Sequence, residues 1–365
     1  MNIVQLIRAR APYLKALQDA FAAEMPAGSR FSILWSQFDT EPAPDVLPTG
    51  SNVEVTSIAS KAFTSKSWSL WPQEAVASRL PSREVWRAIR ERRPDLIWMH
   101  EYSPYTLTGL LYAKWHRIPV VVSSEIGRGN AHFFSRAVRI WHRVWGKLAD
   151  GFIACCPAAC EPLAATPVPV IEAFHAVDSR VFTPATKPPY NNVLTFAYAG
   201  HLVPRKGLDL LLAAAKHLKT LTTQPFRLRI IGSGDADAIR QLAGDVELEF
   251  TGFLTGESLR DSMRSSDVFV LPTRQDTYAA VVHEAACLGL PLLISKHAGA
   301  SQAIRTGFTI DPHDTSDFAR HMLAMFDPQT RATMRTASRH RGEELSAHHR
   351  ARALREWMQH HFLLA

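Results

Sequence analysis

Two cations stand together between a short apolar run and an amphipathic helical pattern. The run ends at Gly200, and the helix is expected to open at Lys206-Gly207, directly after Arg205. The first backbone N–H groups of a helix lack intrahelical partners, and the helix dipole is positive at that end, so such a start favours anions. Arg205 and Lys206 could therefore hold a diphosphate, or they could be ordinary surface cations beside a helix start.

Two carboxylates, Asp276 and Glu284, accompany the next candidate helix. We expect this helix to run over 277–288, because Gly289 supplies a C-terminal stop. If Asp276 lies at its start, the carboxylates are roughly 12 Å apart along the axis. This span suits a nucleotide sugar whose sugar lies near Asp276 and whose ribose hydroxyls bind Glu284, since a carboxylate accepts hydrogen bonds from a diol. The simpler alternative makes Asp276 an N-cap and Glu284 a solvated helix residue.

The elements that must position these residues follow from an alternation of apolar runs and helical patterns, which is typical of parallel strands with crossover helices. The expected strands are NIVQLI, FSILW, VEVTSI, LIWM, PVVVSS and GFIAC, then VLTFAYAG, RLRIIG, ELEFT, VFVL, PLLIS and FTI. Helical patterns occupy 14–22, 84–92, 104–116, 131–148, 206–219, 235–243, 256–266, 278–288, 315–326 and 347–362. The longest expected loops are 38–52 and 60–83.

A polar, proline-rich stretch separates the two series of strands. We therefore predict an α/β chain of two doubly wound domains, which bind ligands at the carboxyl ends of their strands. The predicted parts are a first domain at 1–175, a linker at 176–192, a second domain at 193–345 and a C-terminal helix at 346–365.

The composition excludes several classes of protein. A chain of 365 residues with 46% hydrophobic and 21% charged residues is typical of a globular protein of two domains. No run approaches the about 20 apolar residues that span a bilayer, and the N-terminus lacks the pattern of a signal peptide, so we expect a cytoplasmic protein. The net charge of +7 indicates anionic partners. Four cysteines at spacings unlike those of metal sites are expected to be buried thiols: Cys155, Cys156, Cys160 and Cys287.

The ordered motifs of the second half resemble the donor domain of the retaining glycosyltransferases of family 4, which have the GT-B fold. The matching segments are Gly200-His201, Lys206-Gly207, IIGSGD at 230–235, LEFTGFL at 248–254, SSDVFVLPT at 265–273, and Asp276…Glu284 followed by AACLGLP. The resemblance runs through most of 194–311. It implies two Rossmann-like domains that face each other across a cleft, with the C-terminal helix crossing back to the first domain.

The resemblance also implies roles for individual residues. Lys206 and Arg205 would neutralise the diphosphate of a nucleoside diphosphate sugar, so that neither a metal nor another cofactor is needed. Glu284 would bind the ribose, and Asp276 would contact the transferred sugar. The other implied donor contacts are Gly200, His201, Gly232, Gly234, Thr277, Tyr278, Ala279, Ala280 and Val281.

Three positions depart from the family pattern. His201 stands where arginine is usual, which removes a permanent bidentate cation. Asp276 replaces glutamate, and Tyr278-Ala279 replaces a phenylalanine-glycine pair. Together these departures leave room for altered donor choice or weakened activity.

The first half offers candidate acceptor contacts. Its stretch Arg10-Ala11-Pro12-Tyr13 resembles members that carry these residues after the first strand, and Tyr13 is a candidate contact. Glu125 occupies the position at which many members place a histidine close to the reacting sugar. It could orient or deprotonate an acceptor hydroxyl, or it could pair with Arg128. His100 and Glu101, at the preceding strand end, are further candidates.

The helical segment 133–148 combines a basic stripe with an apolar face. The stripe consists of Arg136, Arg139, Arg143 and Lys147, and the apolar face of Phe133, Ala137, Ile140, Trp141, Val144 and Leu148. Such a helix could attach to anionic lipid headgroups near a lipid-linked acceptor, or it could be packed on the core with a solvated outer face. No recognised motif supports binding to nucleic acid.

The function predicted from these features is retaining transfer of a hexose from a UDP- or GDP-sugar to a saccharide or lipid-linked saccharide. The expected catalytic residues are Asp276, Lys206 and Glu125, and the expected setting is bacterial cell-surface polysaccharide synthesis at the inner face of the membrane. The competing hypothesis is a catalytically silent GT-B subunit that binds a nucleotide or glycan. A sugar-nucleotide epimerase or a phosphorylase of the same fold is a further alternative.

Overall fold

The chain divides into two compact units, Met1–Ala176 with Ala347–Ala365, and Val177–Ser346. A computed structural model describes residues 1–7, 12–36, 48, 50–58, 62–65, 76–79, 82–127, 136–185 and 193–363. The described part of the expected linker, through residue 185, falls almost entirely in the second unit. The C-terminal segment is grouped with the first unit.

The first unit is built on a parallel sheet with strand order β3-β2-β1-β6-β7-β8-β9. Its strands are β1 (Asn2–Ile7), β2 (Arg30–Ser36), β3 (Val53–Ile58), β4 (Ala62–Ser65), β5 (Val76–Arg79), β6 (Leu96–His100), β7 (Val120–Ser124), β8 (Gly151–Ala154) and β9 (Val170–Glu172). Its helices before the second unit are α1 (Pro12–Glu24), α2 (Arg83–Arg92), α3 (Pro104–His116), α4 (Arg136–Gly146) and α5 (Pro157–Ala164). Strands β4 and β5 form a separate antiparallel pair inside a region expected to be loop.

The second unit is built on a parallel sheet with strand order β12-β11-β10-β13-β14-β15. Its strands are β10 (Leu194–Ala199), β11 (Phe226–Ile231), β12 (Leu248–Gly252), β13 (Val268–Leu271), β14 (Leu292–Ser295) and β15 (Phe308–Ile310). Its helices are α6 (Leu208–Leu221), α7 (Ala236–Ala243), α8 (Gly256–Arg264), α9 (Ala280–Cys287), α10 (Gly299–Ile304), α11 (Thr315–Ala324) and α12 (Pro328–Glu344). The strand order reverses at β10, and ligands of such sheets bind beyond the strand ends at this point.

Helix α13 (Ala347–Met358) completes the core of the first unit and leads into the π-helical turn Gln359–Leu363. Its buried side chains recur at helical spacing and join a cluster with residues of α1, β2 and β6. The members from α13 are Ala347, Ala351, Leu354 and Met358, and large partners include Phe21, Phe31 and Trp98. Residues far apart in sequence therefore build one core.

The expected α/β architecture is confirmed, because both sheets are parallel and their central strands are buried on both faces. Four further elements were not expected from the apolar pattern. They are α5, β9, α10 and α12. Helix α12 has a sequence dominated by polar and small residues, PQTRATMRTASRHRGEE, so its period is weak.

Candidate active site

The turn between β10 and α6 places Arg205 and Lys206 at the carboxyl edge of the second sheet. Both lie in a 3-10 turn, Pro204–Lys206, and α6 begins two residues later than expected, at Leu208. Gly207 joins the turn to the helix with φ 74°, and a Cβ there would lie 2.1 Å from the carbonyl oxygen of Pro272. Only glycine fits this junction.

The segment after β13 binds the Pro204–Lys206 turn through hydrogen bonds and an ion pair. The guanidinium of Arg274 donates to the carbonyl of Pro204 at 2.6 Å and forms an ion pair with Asp209 at 2.6 Å. The Thr273 hydroxyl and the Arg274 backbone N–H both donate to the carbonyl of Arg205, at 3.1 and 2.9 Å. Hydrogen bonds and an ion pair from the segment after β13 therefore fix the turn that carries the two cations.

Asp276 meets both cations, although it lies 70 residues further along the chain than Lys206. Its Oδ2 lies 2.5 Å from Lys206 Nζ and 3.8 Å from Arg205 Nη1. The side chains of Lys206 and Asp276 are only 12% and 14% exposed, so water screens the pair weakly. The structure thus brings the three predicted residues Arg205, Lys206 and Asp276 together, and the Asp276 carboxylate forms an ion pair with Lys206.

Backbone bonds to the loop after β14 hold Asp276. Its N–H donates to the carbonyl of His297 at 3.0 Å, and its carbonyl accepts from Gly299 N at 3.1 Å. A Cβ on Gly299 would lie 2.1 Å from the carbonyl oxygen of Thr277. Sequence reasoning missed His297 and Gly299, since their contacts are long-range backbone bonds.

Helix α9 begins at Ala280, so the expectation of a helix from residue 277 was wrong. Ala279 is the residue before the helix and has a left-handed backbone, φ 70° and ψ 72°. Residue 279 is the position at which the family pattern has glycine, which adopts this conformation without strain. Asp276 is therefore neither on the helix nor its N-cap, and the rise of a helix does not give its distance from Glu284.

Glu284 lies half-buried on α9. Burial disfavours the charged carboxylate and raises its pKa to about 7. Its neighbours Val282, Ala285 and Ala286 are fully buried, so Glu284 lies at the edge of the core rather than on a fully solvated face. The pKa of this carboxyl therefore lies close to neutral pH.

The glycines at the ends of β10 and β11 make room for neighbouring chain. A Cβ on Gly232 would lie 1.9 Å from the carbonyl oxygen of Gly200, and one on Gly234 would lie 2.6 Å from the Cβ of Leu202. The absence of side chains at these two glycines thus makes room for the packing of the neighbouring loop. His201, in the same loop, is exposed, and its Nδ1 lies 3.3 Å from Ser233 Oγ.

A cluster of carboxylates and imidazoles lies at the carboxyl edge of the first sheet. Glu125 Oε1 lies 2.8 Å from His175 Nε2 and 3.9 Å from His100 Nε2. Glu101 accepts the backbone N–H of Glu125, and its Oε2 lies 3.7 Å from Nδ1 of His142. Three predicted residues, Glu125, His100 and Glu101, therefore meet here.

Sequence reasoning missed His142 and His175, which reach this cluster from α4 and from the loop after β9. Burial lowers the pKa of His142 to about 4, so this imidazole is neutral at physiological pH. Arg128, the other partner considered for Glu125, lies outside the described residues. Tyr13 lies in the first turn of α1, and its side chain is likewise not described.

The cysteines are free thiols, with Cys160 half-buried and the other three buried. Burial raises the pKa of Cys156 to about 12, and its Sγ lies 3.2 Å from the carbonyl oxygen of Glu125. Within the described ranges, no group of three or more His, Cys, Asp or Glu side chains could hold a metal ion.

The outer face of α4, with the residue that follows it, carries the predicted basic stripe. Arg136, Arg139, Arg143 and Lys147 are all exposed. Ile140 and Val144 lie on the same face and are 59% and 53% exposed, so they are not packed on the core. Among the described residues, no helix has the length and hydrophobicity of a transmembrane span.

Models of two known protein families match most of the chain. Residues 194–327 match the family described as Glycosyl transferases group 1, and residues 20–174 match the Glycosyl transferase 4-like domain. The chain belongs to the group 1 glycosyltransferases. The match to the Glycosyl transferase 4-like domain lies within the first unit, and the match to Glycosyl transferases group 1 lies within the second.

Curated relatives of this glycosyltransferase include two bacterial enzymes. A GDP-mannose-dependent alpha-mannosyltransferase of Mycobacterium tuberculosis is 29% identical over 264 residues, which cover 67% of this chain and 68% of that protein. A D-inositol 3-phosphate glycosyltransferase of Pseudarthrobacter chlorophenolicus is 32% identical over 181 residues, covering 44% of this chain and 43% of that one. The chain thus spans less than half of the second relative.

Solved structures with the same fold match the glycosyltransferase from end to end. Sucrose-phosphate synthase of Thermosynechococcus elongatus has a TM-score of 0.75 at 17% identity and covers 100% of both chains. Anabaena HepE, in complex with UDP and glucose, has a TM-score of 0.74 at 15% identity and covers 98% of this chain and 99% of that chain. These likenesses show the GT-B fold, with two Rossmann-like domains.

Proposed function

We propose that this glycosyltransferase moves a hexose from a nucleoside diphosphate sugar to a hydroxyl of a saccharide or lipid-linked saccharide, with retention at the anomeric carbon. The observation that carries the proposal is the meeting of Arg205, Lys206 and Asp276 at the strand-order reversal of the second sheet. Helix α9 starts four residues after Asp276 and directs its N-terminal dipole to the same edge. Cations and a helix start together favour a diphosphate.

In this proposal, Lys206 and Arg205 stabilise the negative charge that develops on the departing diphosphate. Fixed positive groups at a developing charge are usually the largest single contribution to such catalysis. The acceptor hydroxyl attacks from the face that the diphosphate leaves, and an oxygen of the leaving phosphate accepts its proton. No metal is required, since the two cations and the helix dipole balance the charge.

The carboxylates would bind hydroxyl groups on either side of the reacting centre. Asp276 would contact the transferred sugar while holding Lys206 in position, and Glu284 would accept hydrogen bonds from the ribose. Glu125 would orient an acceptor hydroxyl, with His175 at 2.8 Å as its partner. The remaining donor contacts would be Gly200, His201, Gly232, Gly234, Thr277, Tyr278, Ala279, Ala280 and Val281, and the remaining acceptor contacts Tyr13, His100 and Glu101.

The proposed setting is cell-surface polysaccharide synthesis at the cytoplasmic face of a bacterial membrane. The exposed cations of α4 support contact with an anionic surface. The relative from Mycobacterium tuberculosis is described as GDP-mannose-dependent. GDP and GDP-mannose are therefore the first candidates for the donor.

The test of the donor site is calorimetric titration with GDP, UDP and ADP and with their common sugar conjugates. We expect one nucleotide to bind saturably. Lys206→Ala should lower kcat/KM by about 100-fold or more, because it removes a group that stabilises the leaving charge. Lys219→Ala is a matched control, since Lys219 forms an ion pair with Asp245 at 2.6 Å near the end of α6, at the opposite edge of the sheet.

Retention at the anomeric carbon, metal independence and the alternative of a silent subunit are tested by separate measurements. NMR of the product should show the anomeric configuration of the donor, and product of inverted configuration would contradict the retaining mechanism. Turnover should persist in EDTA, and its loss would contradict metal independence. Binding of a nucleotide without transfer to any acceptor would instead indicate the silent GT-B subunit.

A further inference from the structure

Arg274 lies in the loop between β13 and α9 and has no role in the proposed reaction. Its guanidinium forms two parallel bonds with the carboxylate of Asp209, Nη1 to Oδ1 at 2.8 Å and Nη2 to Oδ2 at 2.6 Å. Asp209 lies in the first turn of α6, 65 residues earlier in the chain. The planar guanidinium and the carboxylate match in shape, so such a pair fixes orientation as well as distance. The pair therefore joins the loop after β13 to the start of α6 in one defined geometry.

The same guanidinium also bonds the turn that carries the two donor-site cations. Nη1 of Arg274 donates to the carbonyl oxygen of Pro204 at 2.6 Å. That oxygen also accepts the backbone N–H of Gly207 at 3.1 Å, which closes the 3-10 turn. Arg274 thus contacts the turn just before the two cations and, through Asp209, contacts α6 just after them.

Arg205 bonds the loop after β13 in return. Its Nη1 donates to the carbonyl of Gln275 at 3.2 Å, while its own carbonyl accepts the backbone N–H of Arg274 at 2.9 Å. The turn and the loop are therefore bonded in both directions. Asp276 follows in the same loop, so a shift of the loop would displace this carboxylate relative to the cations.

The Arg274–Asp209 pair stays ionised at neutral pH but is partly exposed. The hydrogen bond from Arg274 lowers the pKa of the Asp209 carboxyl, and the same bond raises the pKa of the guanidinium. The side chains of Arg274 and Asp209 are 32% and 44% exposed. A pair with this exposure contributes little to global stability. Its effect on the position of the turn is therefore separable from any effect on folding.

Direct binding of a phosphate by Arg274 is the alternative role. It would break existing bonds, because Nη2 is engaged by Asp209 and Nη1 by both Asp209 and Pro204. The carboxylate beside the guanidinium would also repel a phosphate. The geometry therefore favours a role that Arg274 exerts through the turn.

We propose that Arg274 is a positioning residue of the donor site, which acts with Asp209 to fix the turn and its two cations. The inference rests on the proposed function for the identity of the ligand, a diphosphate held by Arg205 and Lys206. Fixed cations are effective because they need no reorganisation when negative charge develops on the leaving group. A misplacement of about 1 Å in such a site can lower the rate about 100-fold.

The test is calorimetric titration of Arg274→Met and Asp209→Asn with a nucleoside diphosphate and with the corresponding monophosphate. GDP and GMP are the first pair of probes, followed by UDP with UMP and ADP with AMP. We expect each variant to raise the dissociation constant of the diphosphate about fivefold or more and to lower kcat about tenfold. The dissociation constant of the monophosphate should change by less than about twofold, since it lacks the second phosphate group that the cations hold. Equal losses for the two probes would indicate a general structural defect and overturn the proposal.

The sign of the Asp209→Asn effect separates positioning from direct binding. If Arg274 bound the phosphate itself, removal of the neighbouring carboxylate would free the guanidinium and tighten binding. If the pair acts as a unit, Asp209→Asn weakens binding and the double variant is no worse than the worse single variant. Arg274→Lys keeps the charge but loses the parallel bonds, so it should bind with intermediate affinity. Tighter binding by Asp209→Asn, or additive losses in the double variant, would contradict positioning.

Hydrogen exchange of the ligand-free chain tests the positioning without any nucleotide. The amides of Lys206 and Gly207 donate within the turn, to the carbonyls of Val203 and Pro204 at 2.9 and 3.1 Å. They should exchange roughly tenfold faster in Arg274→Met, while the midpoint of denaturation changes little. Unchanged exchange would overturn the proposal. A parent that binds none of the nucleotides would contradict the proposed donor site, and exchange alone would then decide whether Arg274 fixes the turn.

Arg264→Met and Asp261→Asn are matched controls. Arg264 is the last residue of α8 and forms an ion pair with Asp261 at 2.8 Å, with side chains 33% and 51% exposed. The end of α8 leads into the start of β13, at the edge of the sheet opposite the donor site. These variants should bind the diphosphate as the parent does. An equal loss in the controls would show that the effect is not specific to Arg274.

Discussion

At the scale of single residues, the ion pair of Lys206 and Asp276 is the feature with the clearest consequence. The carboxylate lies 2.5 Å from the ammonium, so it competes with any diphosphate for that cation. The same carboxylate also holds the lysine at the sheet edge. Asp276 therefore has opposite effects on nucleotide binding and on positioning.

Asp276→Asn separates these effects. We expect the dissociation constant of the bound nucleoside diphosphate to fall about fivefold, because a nearby negative charge is removed. Turnover should fall at the same time, since the sugar contact and the hold on Lys206 weaken. Calorimetry and initial rates measure the two quantities, and weaker binding of the diphosphate would contradict this account.

Glu284 makes stability depend on pH. Its pKa in the folded chain, about 7, is above the ordinary value of 4.5, so the folded state favours the proton. The folded chain therefore loses stability as pH rises from about 4.5 to about 7, and the loss is complete above that range. Nucleotide binding that uses the carboxylate should release a proton.

Glu284→Gln should stabilise the second unit relative to the parent as pH rises from about 5 to about 8, by up to about 3 kcal/mol. It should also weaken nucleotide binding, because the amide replaces an acceptor of the ribose hydroxyls. Unfolding curves across pH measure the first effect, and titration in buffers of different ionisation enthalpy measures the released proton. A pH-independent difference would show that Glu284 does not titrate in this range.

At the scale of elements, the start of α9 carries backbone strain. Ala279 adopts φ 70° directly before the helix, and a left-handed backbone costs an alanine about 1–2 kcal/mol. Its carbonyl still accepts a bond from Val282 N at 3.0 Å, so the turn closes despite the strain.

Ala279→Gly should therefore raise the free energy of unfolding by up to about 1 kcal/mol, after the greater freedom of glycine in the unfolded chain is allowed for. Ala285→Gly, inside the same helix, should instead lower it by about 1 kcal/mol. Chemical denaturation of the two variants compares them directly. If both lose stability, the strain at Ala279 is not significant.

Across the whole molecule, the first unit depends on the end of the chain. Leu354 of α13 is fully buried in a cluster with Phe21 and Trp98. The first 176 residues thus lack part of their core until the last helix has been made and has packed against them.

Leu354→Ala should destabilise the first unit by about 2–5 kcal/mol, since it removes buried methyl groups and leaves a cavity. Leu242→Ala, at a leucine that is 49% exposed on α7, should change stability by less than about 1 kcal/mol. Hydrogen exchange of β1 and β6 reports the first unit separately. Unchanged protection of these strands would contradict the role of α13.

Much of this protein follows from local pattern in its sequence. Apolar runs predicted most strands and their parallel arrangement, because strands buried on both faces must be apolar throughout. The family motifs predicted a donor half and singled out Arg205, Lys206 and Asp276, and the structure brings these three residues together. Weakly periodic segments such as α12 were missed, since their burial depends on what packs against them.

Tertiary structure decided which of these residues meet. It placed Asp276 on Lys206 through backbone bonds to His297 and Gly299, and it joined Glu125 to His175. It also filled the space beside Gly232 with a neighbouring loop. Local pattern specifies whether a segment is strand or helix, whereas such contacts depend on sheet order and loop closure, which only the folded chain determines.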